Sequence, residues 1–424
     1  MTIYYSKGGT VGTPLAFETP ANWNTQTDGG GTDATTLDGH DLQLQAADYM
    51  VLGADVTVGA LTTLYDSHLD GNTSYAITCN GVSATNYALN LDGNLTTDNN
   101  LNVTIAYAGA TNIDAEPQNP NYLRNITINH ASGVYTLQAQ LVVKDKINII
   151  LGELNCGSSI IASELANLEI HKTNTSAKLD YGTNTVTCGR LGESNGGVGK
   201  IEGTGAAIAG TGGKIIVQKT GNLRIIDLGT TAVFTGTVVI EYNGNQSSGA
   251  ASQDLRAGSG TFDFIVNADN TTDTCLANAS PNGLNDVLIT KGIFDPNSSD
   301  LTVAGKTAIG DASHSSEDQA TLNCGSSVMS LGSTKSDDYA IEMLAGGTFA
   351  GGIANHTTGA IKQTVANTKF TFTAATTTIN SEYTSADRMF AITAGKAYNA
   401  DGRITLSGNF TSYVQWDTTA GDNG

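Results

Sequence analysis

Apolar residues in this chain come in short alternating bursts separated by small polar residues. Examples are Ile126-Thr-Ile128, Val142 to Ile150, Ile215-Ile-Val217, Val238-Val-Ile240, Phe262-Asp-Phe-Ile-Val266 and Val287-Leu-Ile289. The bursts end at Gly, Asn or Asp, the pattern of brief strands joined by tight turns. Spacing at three to four residues is nearly absent. Only Ser163 to Leu168 and Asp337 to Leu344 suit a single helical turn.

One segment is repeated. Leu154-Asn-Cys-Gly-Ser-Ser-Ile-Ile161 recurs as Leu322-Asn-Cys-Gly-Ser-Ser-Val-Met329, 168 residues later (322 − 154). The lead-ins correspond in their apolar positions, Leu141 to Ile149 with Leu301 to Ile309. Identical local sequence predicts identical local structure, with Cys156 and Cys324 pointing inward and unbridged at equivalent positions. Two all-β architectures accommodate such segments. A sandwich wants longer strands and Asn-Gly hairpins, which are few (Asn80-Gly81, Asn243-Gly244, Asn282-Gly283). A solenoid wants short strands with Gly and Asn at corners, and it fits better. The expected fold is therefore all-β, a right-handed parallel β-solenoid with a C-terminal β module. At roughly 20 residues per coil and about 4.8 Å per rung, about 20 rungs would make a rod of about 100 Å. Residues 1–40 are expected to form a cap or attachment arm, 41–361 the solenoid, and 362–424 a separate β module, which is richer in aromatics (Phe370, Phe372, Phe390, Trp416).

The stretch Asn125-Ile-Thr-Ile-Asn-His-Ala-Ser-Gly-Val-Tyr-Thr-Leu-Gln-Ala-Gln-Leu-Val-Val143, followed by Gly152-Glu-Leu-Asn155, resembles the rungs of right-handed β-helix proteins of bacteriophage particles and of large bacterial adhesins. The opening Trp23, Asp41-Leu-Gln-Leu44 and Ala54-Asp-Val-Thr-Val-Gly-Ala-Leu-Thr62 resemble the way such phage modules begin. The resemblance covers about residues 40–350 and implies a fold rather than an activity. Its members include tail fibres, tailspikes and capsid-surface fibres.

Composition agrees. Charged residues are 14% of the chain, Gly numbers 50 and Pro 6, while apolar residues still reach 39%, enough for a long thin core. Twenty basic against 40 acidic residues give a net charge of −20, which argues against nucleic acid and an anionic membrane surface as partners. Cys79, Cys156, Cys188, Cys275 and Cys324 lie far apart, without the spacing of a zinc site or a disulfide framework, and read as reduced buried residues. The N-terminal Met1-Thr-Ile-Tyr-Tyr-Ser-Lys-Gly-Gly9 shows neither a basic nor an apolar signal region. A Thr/Asn/Gly-rich surface made without an export signal is expected of a virus protein assembled in the host cytoplasm.

Catalytic patterns are sparse. There is no GxSxG elbow, and His40, His68, His130, His171, His314 and His356 stand alone, read as solvated or turn histidines. Gly305-Lys-Thr307 resembles the end of a phosphate loop, but Asp300 stands where that loop needs Gly, so the segment reads as a rung corner. Glu317-Asp318 and Asp337-Asp338 are candidate carboxylate pairs for glycoside cleavage. Adjacent carboxylates on a strand face opposite ways, however, and the central body has no Trp to stack on a sugar. Asp38-Gly-His-Asp41 and Asp311 with Glu317 and Asp318 could offer Ca²⁺ oxygen ligands, but they lack a calcium-loop spacing and read as solubilising turns. The Thr371 to Thr378 run alternates like an ice-binding face, yet it is confined to one end and not repeated rung after rung.

No catalytic or cofactor-binding residue and no cofactor is therefore assigned, and metal binding is left open. The expectation is a non-enzymatic structural component of a phage particle, a fibre or surface decoration displayed on the virion. It would be homo-oligomeric, a trimer being one arrangement, with other virion proteins and a host-surface glycan as partners. The alternatives are a tailspike-like polysaccharide depolymerase and a bacterial adhesin.

Overall fold

The computed structural model describes residues 2–71, 74–92, 94–95, 100–115, 122–192, 197–218, 223–245, 252–316, 318–332, 339–354, 356–359, 361–363, 368–372, 376–380, 390–392, 398–400, 403–407 and 415–416. Two units are distinguished, residues 1–193 with 198–202, and residues 194–197 with 203–424.

The fold is a β-solenoid of parallel strands. In the first unit the chain returns to the same face once per coil. One stack runs through Ile3–Ser6, Asp41–Leu44, Ala60–Thr63, Tyr87–Leu91 and Ala110–Asp114 to residues 134–137, 153–155 and 178–180. A second runs through Val56–Val58, Ala76–Cys79 and Asn102–Ile105 to residues 125–128, 146–149 and 167–170. A third, shorter one joins Leu15–Ala16, Tyr49–Val51, His68–Asp70 and Asn94–Leu95. The second unit repeats the plan with three parallel stacks. Their strands include Thr307–Ile309, Ile341–Met343, Ile361–Gln363 and Phe390–Ile392 in one. Ala320–Asn323, Gly347–Ala350, Lys369–Phe372 and Tyr398–Ala400 make another. Leu301–Val303, Met329–Leu331, His356–Thr358, Thr376–Asn380 and Arg403–Ser407 make the third. Parallel pairing thus runs across residue 362 without a change of pattern.

Alternation explains these ladders. Val58, Cys79, Ile105, Ile128, Ile149 and Ile170 are in-register partners on successive coils, all fully buried. Each buried aliphatic contributes about 1.5–3 kcal/mol, and a one-residue slip would turn the whole rank to solvent. Coils are longer than the roughly 20 residues expected: Asn125 pairs with Lys146, 21 residues on, but Thr307 pairs with Ile341, 34 residues on. Turns of unequal length absorb the difference, so fewer rungs form.

The repeated segments fold alike, each within its own unit. Cys156 and Cys324 are buried and unbridged just after a strand ends. The amides of Ser159 and Ser327 donate back to their carbonyls at 2.8 and 2.7 Å. Gly157 and Gly325 follow at φ +59° and +53°, the left-handed conformation that a tight corner needs. Burial pushes the Cys156 thiol up to about 12 and raises that of Cys324.

At the N-terminus Trp23–Asn24 pairs antiparallel with Ile3–Ser6, lying along the outermost strand edge. Trp23 is fully buried, edge-on to Phe17 at 5.0 Å, and its Nε1 donates to the Phe17 carbonyl at 2.7 Å. Covering that edge blocks a template for uncontrolled pairing. The helical turn expected over Ser163 to Leu168 is instead part of the strand Ile161–Ile170. Cross-coil pairing of Ser163 with Cys188 and of Leu168 with Ile147 overrides the local spacing. In the other segment so read, residues 341–343 are strand and residues 337 and 338 lie outside the described residues.

Candidate functional site

The outward positions of the second stack in the first unit carry the most regular chemistry. Thr57, Thr78, Thr104 and Thr127 are in-register partners on four successive coils. All four are half-buried; Thr78, Thr104 and Thr127 each stand between two buried residues, and Thr57 stands between half-buried Val56 and buried Val58. Among the described residues none of their hydroxyls has a partner, so a row of free hydroxyls, each beside a methyl group, repeats at about the 4.8 Å strand spacing. Next to it, Asn102 and Asn125 form a ladder: Asn125 Nδ2 donates to Asn102 Oδ1 at 2.8 Å, and Asn102 Nδ2 donates to the Tyr75 carbonyl at 2.9 Å. Charges stand at both ends of this row: exposed Asp55 accepts from the Ala76 amide at 2.8 Å on the first coil, and on the coil after Asn125 Lys146 donates to Glu169 at 3.0 Å. A Thr rank repeated rung after rung therefore exists in the first unit, outside the Thr371 to Thr378 run to which the sequence drew attention. Thr371 pairs with Ala350 in one stack, whereas Thr378 belongs to another, where it meets Thr357 and Thr405.

Carboxylates gather across coils rather than along the chain. Lys178 reaches Glu153 at 2.9 Å, Glu202 at 3.1 Å and Asp180 at 3.7 Å, from three successive coils. Burial alone would lower the Lys178 pKa, but the hydrogen bonds to Glu153 and Glu202 hold it above the usual value. Beside this cluster lies a groove of about 260 Å³ that Ser132, Gly133, Gly152, Glu153, Lys178 and Lys200 help to line. In the second unit Lys306 and Lys362 both hold Glu342, the latter at 2.9 Å. Burial would raise the Glu342 pKa, yet the two lysines keep it low.

Among the described residues, those singled out from sequence do not converge. Glu317, Asp337 and Asp338 lie outside the described residues. Asp318 sits at φ +61° in a turn and accepts a hydrogen bond from Thr348 Oγ1 at 2.7 Å. Asp311 accepts from the Ser313 hydroxyl and amide at 2.6 and 2.7 Å, which lowers its pKa. In the loop from Asp38 to Asp41 the carboxylates part: Asp38 accepts from Asn80 at 3.1 Å, whereas Asp41 is buried with Oδ1 unpartnered. Desolvation raises the Asp41 pKa to about 6. Among the described residues no three His, Cys, Asp or Glu side chains come together as a metal site would require. Gly305-Lys-Thr307 is a rung corner, with Thr307 inward and the Lys306 amide bonded to Asp286 at 2.7 Å.

Two histidines depart from expectation: His68 is half-buried in the strand His68–Asp70 and stacked on Tyr49, and His356 departs further. His356 is 2% exposed and faces the core beside Phe349, not solvent. Its Nδ1 accepts the Met329 amide proton at 3.2 Å and its Nε2 donates to the Gly351 carbonyl, an arrangement that only the neutral ring satisfies. Burial lowers its pKa accordingly.

The chain matches no protein-family model, no curated protein and no solved structure.

Proposed function

We propose that the protein is a non-enzymatic structural component of a phage particle, a fibre or surface decoration that contributes to host or surface binding. The reading keeps its expected partners, other virion proteins and a host-surface glycan, and an assembly of several copies. The observation that carries it is the separation of labour in each coil. Inward ladders such as Ile128, Ile149 and Ile170 hold the fold, while outward positions such as Thr127, Asn148 and Glu169 are free to form a binding surface. The segments that resemble phage β-helix rungs, Asn125 to Val143 and Gly152 to Asn155, form consecutive coils of that ladder.

Polysaccharide depolymerisation is the second reading, favoured by the cross-coil carboxylates Glu153 and Glu202 beside the groove. One experiment separates the two. Excess purified protein should slow adsorption of particles to host cells while releasing no reducing sugar from host polysaccharide. Sugar release that disappears in Glu153→Gln or Glu202→Gln would make the protein a depolymerase.

A further inference from the structure

We propose that the Thr57–Thr78–Thr104–Thr127 rank is an ice-binding surface, one that orders water into the lattice of ice. The proposal is independent of the assignment to a particle. Four features carry it. The rank repeats by translation at about 4.8 Å, set by hydrogen-bonded parallel strands, close to an oxygen repeat of the ice lattice. Its side chains are β-branched and stiff at χ1, so hydroxyl and methyl positions are fixed before binding. Its hydroxyls have no partner among the described residues, leaving each free to donate one and accept two hydrogen bonds. Finally, the rank positions are themselves uncharged in a chain of net charge −20, and at Thr104 and Thr127 they are flanked by the Asn102–Asn125 ladder, with a charge beside the rank only at its Thr57 end, where Asp55 accepts from the Ala76 amide.

The second unit builds the same device separately. Thr302, Ser330 and Thr357 are outward in-register partners whose hydroxyls likewise have no partner among the described residues, and Thr378 and Thr405 occupy the next register positions. A ligand of matching charge and repeat is a neutral lattice. A single polysaccharide chain would instead call for a concave, aromatic-lined groove, whereas this rank is a row of threonines on the outward side of paired strands.

The test uses the full chain, frozen slowly so that ice grows from one surface, with the protein measured in ice and in the remaining liquid. Wild-type protein should be enriched in ice, and it should slow ice recrystallisation. The double variant Thr78→Tyr/Thr104→Tyr should fall to the level of an unrelated acidic protein, because two rings break the flat rank. Thr62→Tyr/Asn90→Tyr, at outward partner positions of the first stack, should behave as wild type. Thr78→Val/Thr104→Val keeps the shape and strand preference, and it should lose part of the enrichment even if the tyrosine variant fails to fold. Exclusion of wild-type protein from ice, or equal enrichment of wild type and the valine variant, would overturn the proposal. So would retention on an insoluble neutral polysaccharide without enrichment in ice.

Discussion

Ile149 and Ile150 are adjacent, chemically identical and predicted to differ sharply in what they hold together. Ile149 is fully buried between Ile128 and Ile170 in the inward ladder, whereas Ile150 is half-buried on the other side of the strand. Ile149→Ala removes about three buried carbons, worth about 2.4 kcal/mol of transfer free energy at about 0.8 kcal/mol each. The neighbouring coils are fixed by strand pairing and collapse poorly into the space. A residual cavity of roughly 60 Å³ at about 24 cal/mol per Å³ adds about 1.4 kcal/mol, for a total near 4 kcal/mol. Ile150→Ala should cost less than about 1 kcal/mol. Thermal and urea unfolding of the two variants would measure the contrast, with amide exchange on residues 128, 149 and 170 reporting the local loss in case the unfolding is not two-state. Equal losses, or a larger loss for Ile150→Ala, would refute the inward assignment and with it the register of the stack.

Other consequences are as definite. All five cysteines should resist a thiol reagent in the folded protein and react after denaturation, with no disulfide in the unreduced mass, because burial raises every thiol pKa. The His356 pKa is depressed in the folded state, so its contribution is present above the unfolded value near 6.5 and is lost as pH falls further. The melting temperature should therefore drop between pH 7 and pH 5, and His356→Leu should flatten that slope. Asp41 has the opposite sign: its folded pKa of about 6 lies above the unfolded value near 3.9, so stability declines as pH rises between them. Asp41→Asn should raise the melting temperature at pH 7 and leave it unchanged at pH 4. Deleting residues 1–40 removes Trp23–Asn24 from the outer edge, and light scattering should then show aggregation; a monodisperse product would contradict the capping role.

Much of the fold was legible because its signal is local. Strands such as Ile126-Thr-Ile128 alternate over three residues, and the corner after Asn155 announces itself through Cys-Gly-Ser-Ser, repeated at Asn323. The surface was not legible, because its neighbours are distant and unevenly spaced. Thr57 meets Thr78 after 21 residues, Thr78 meets Thr104 after 26, and Thr104 meets Thr127 after 23. Without the turn lengths, no fixed period reveals the rank. The Lys178 cluster was hidden in the same way, since Glu153 and Glu202 lie on either side of it by one coil. His356 looked solvated because nothing in its neighbours along the chain shows that Met329 and Phe349 will surround it.

The central claim, a structural component displayed on a phage particle, is tested most directly by electron microscopy of intact purified particles labelled with an antibody against this chain. The account predicts label at repeated, fixed positions on the particle surface. Unlabelled particles from a lysate in which the protein is abundant and free would contradict it.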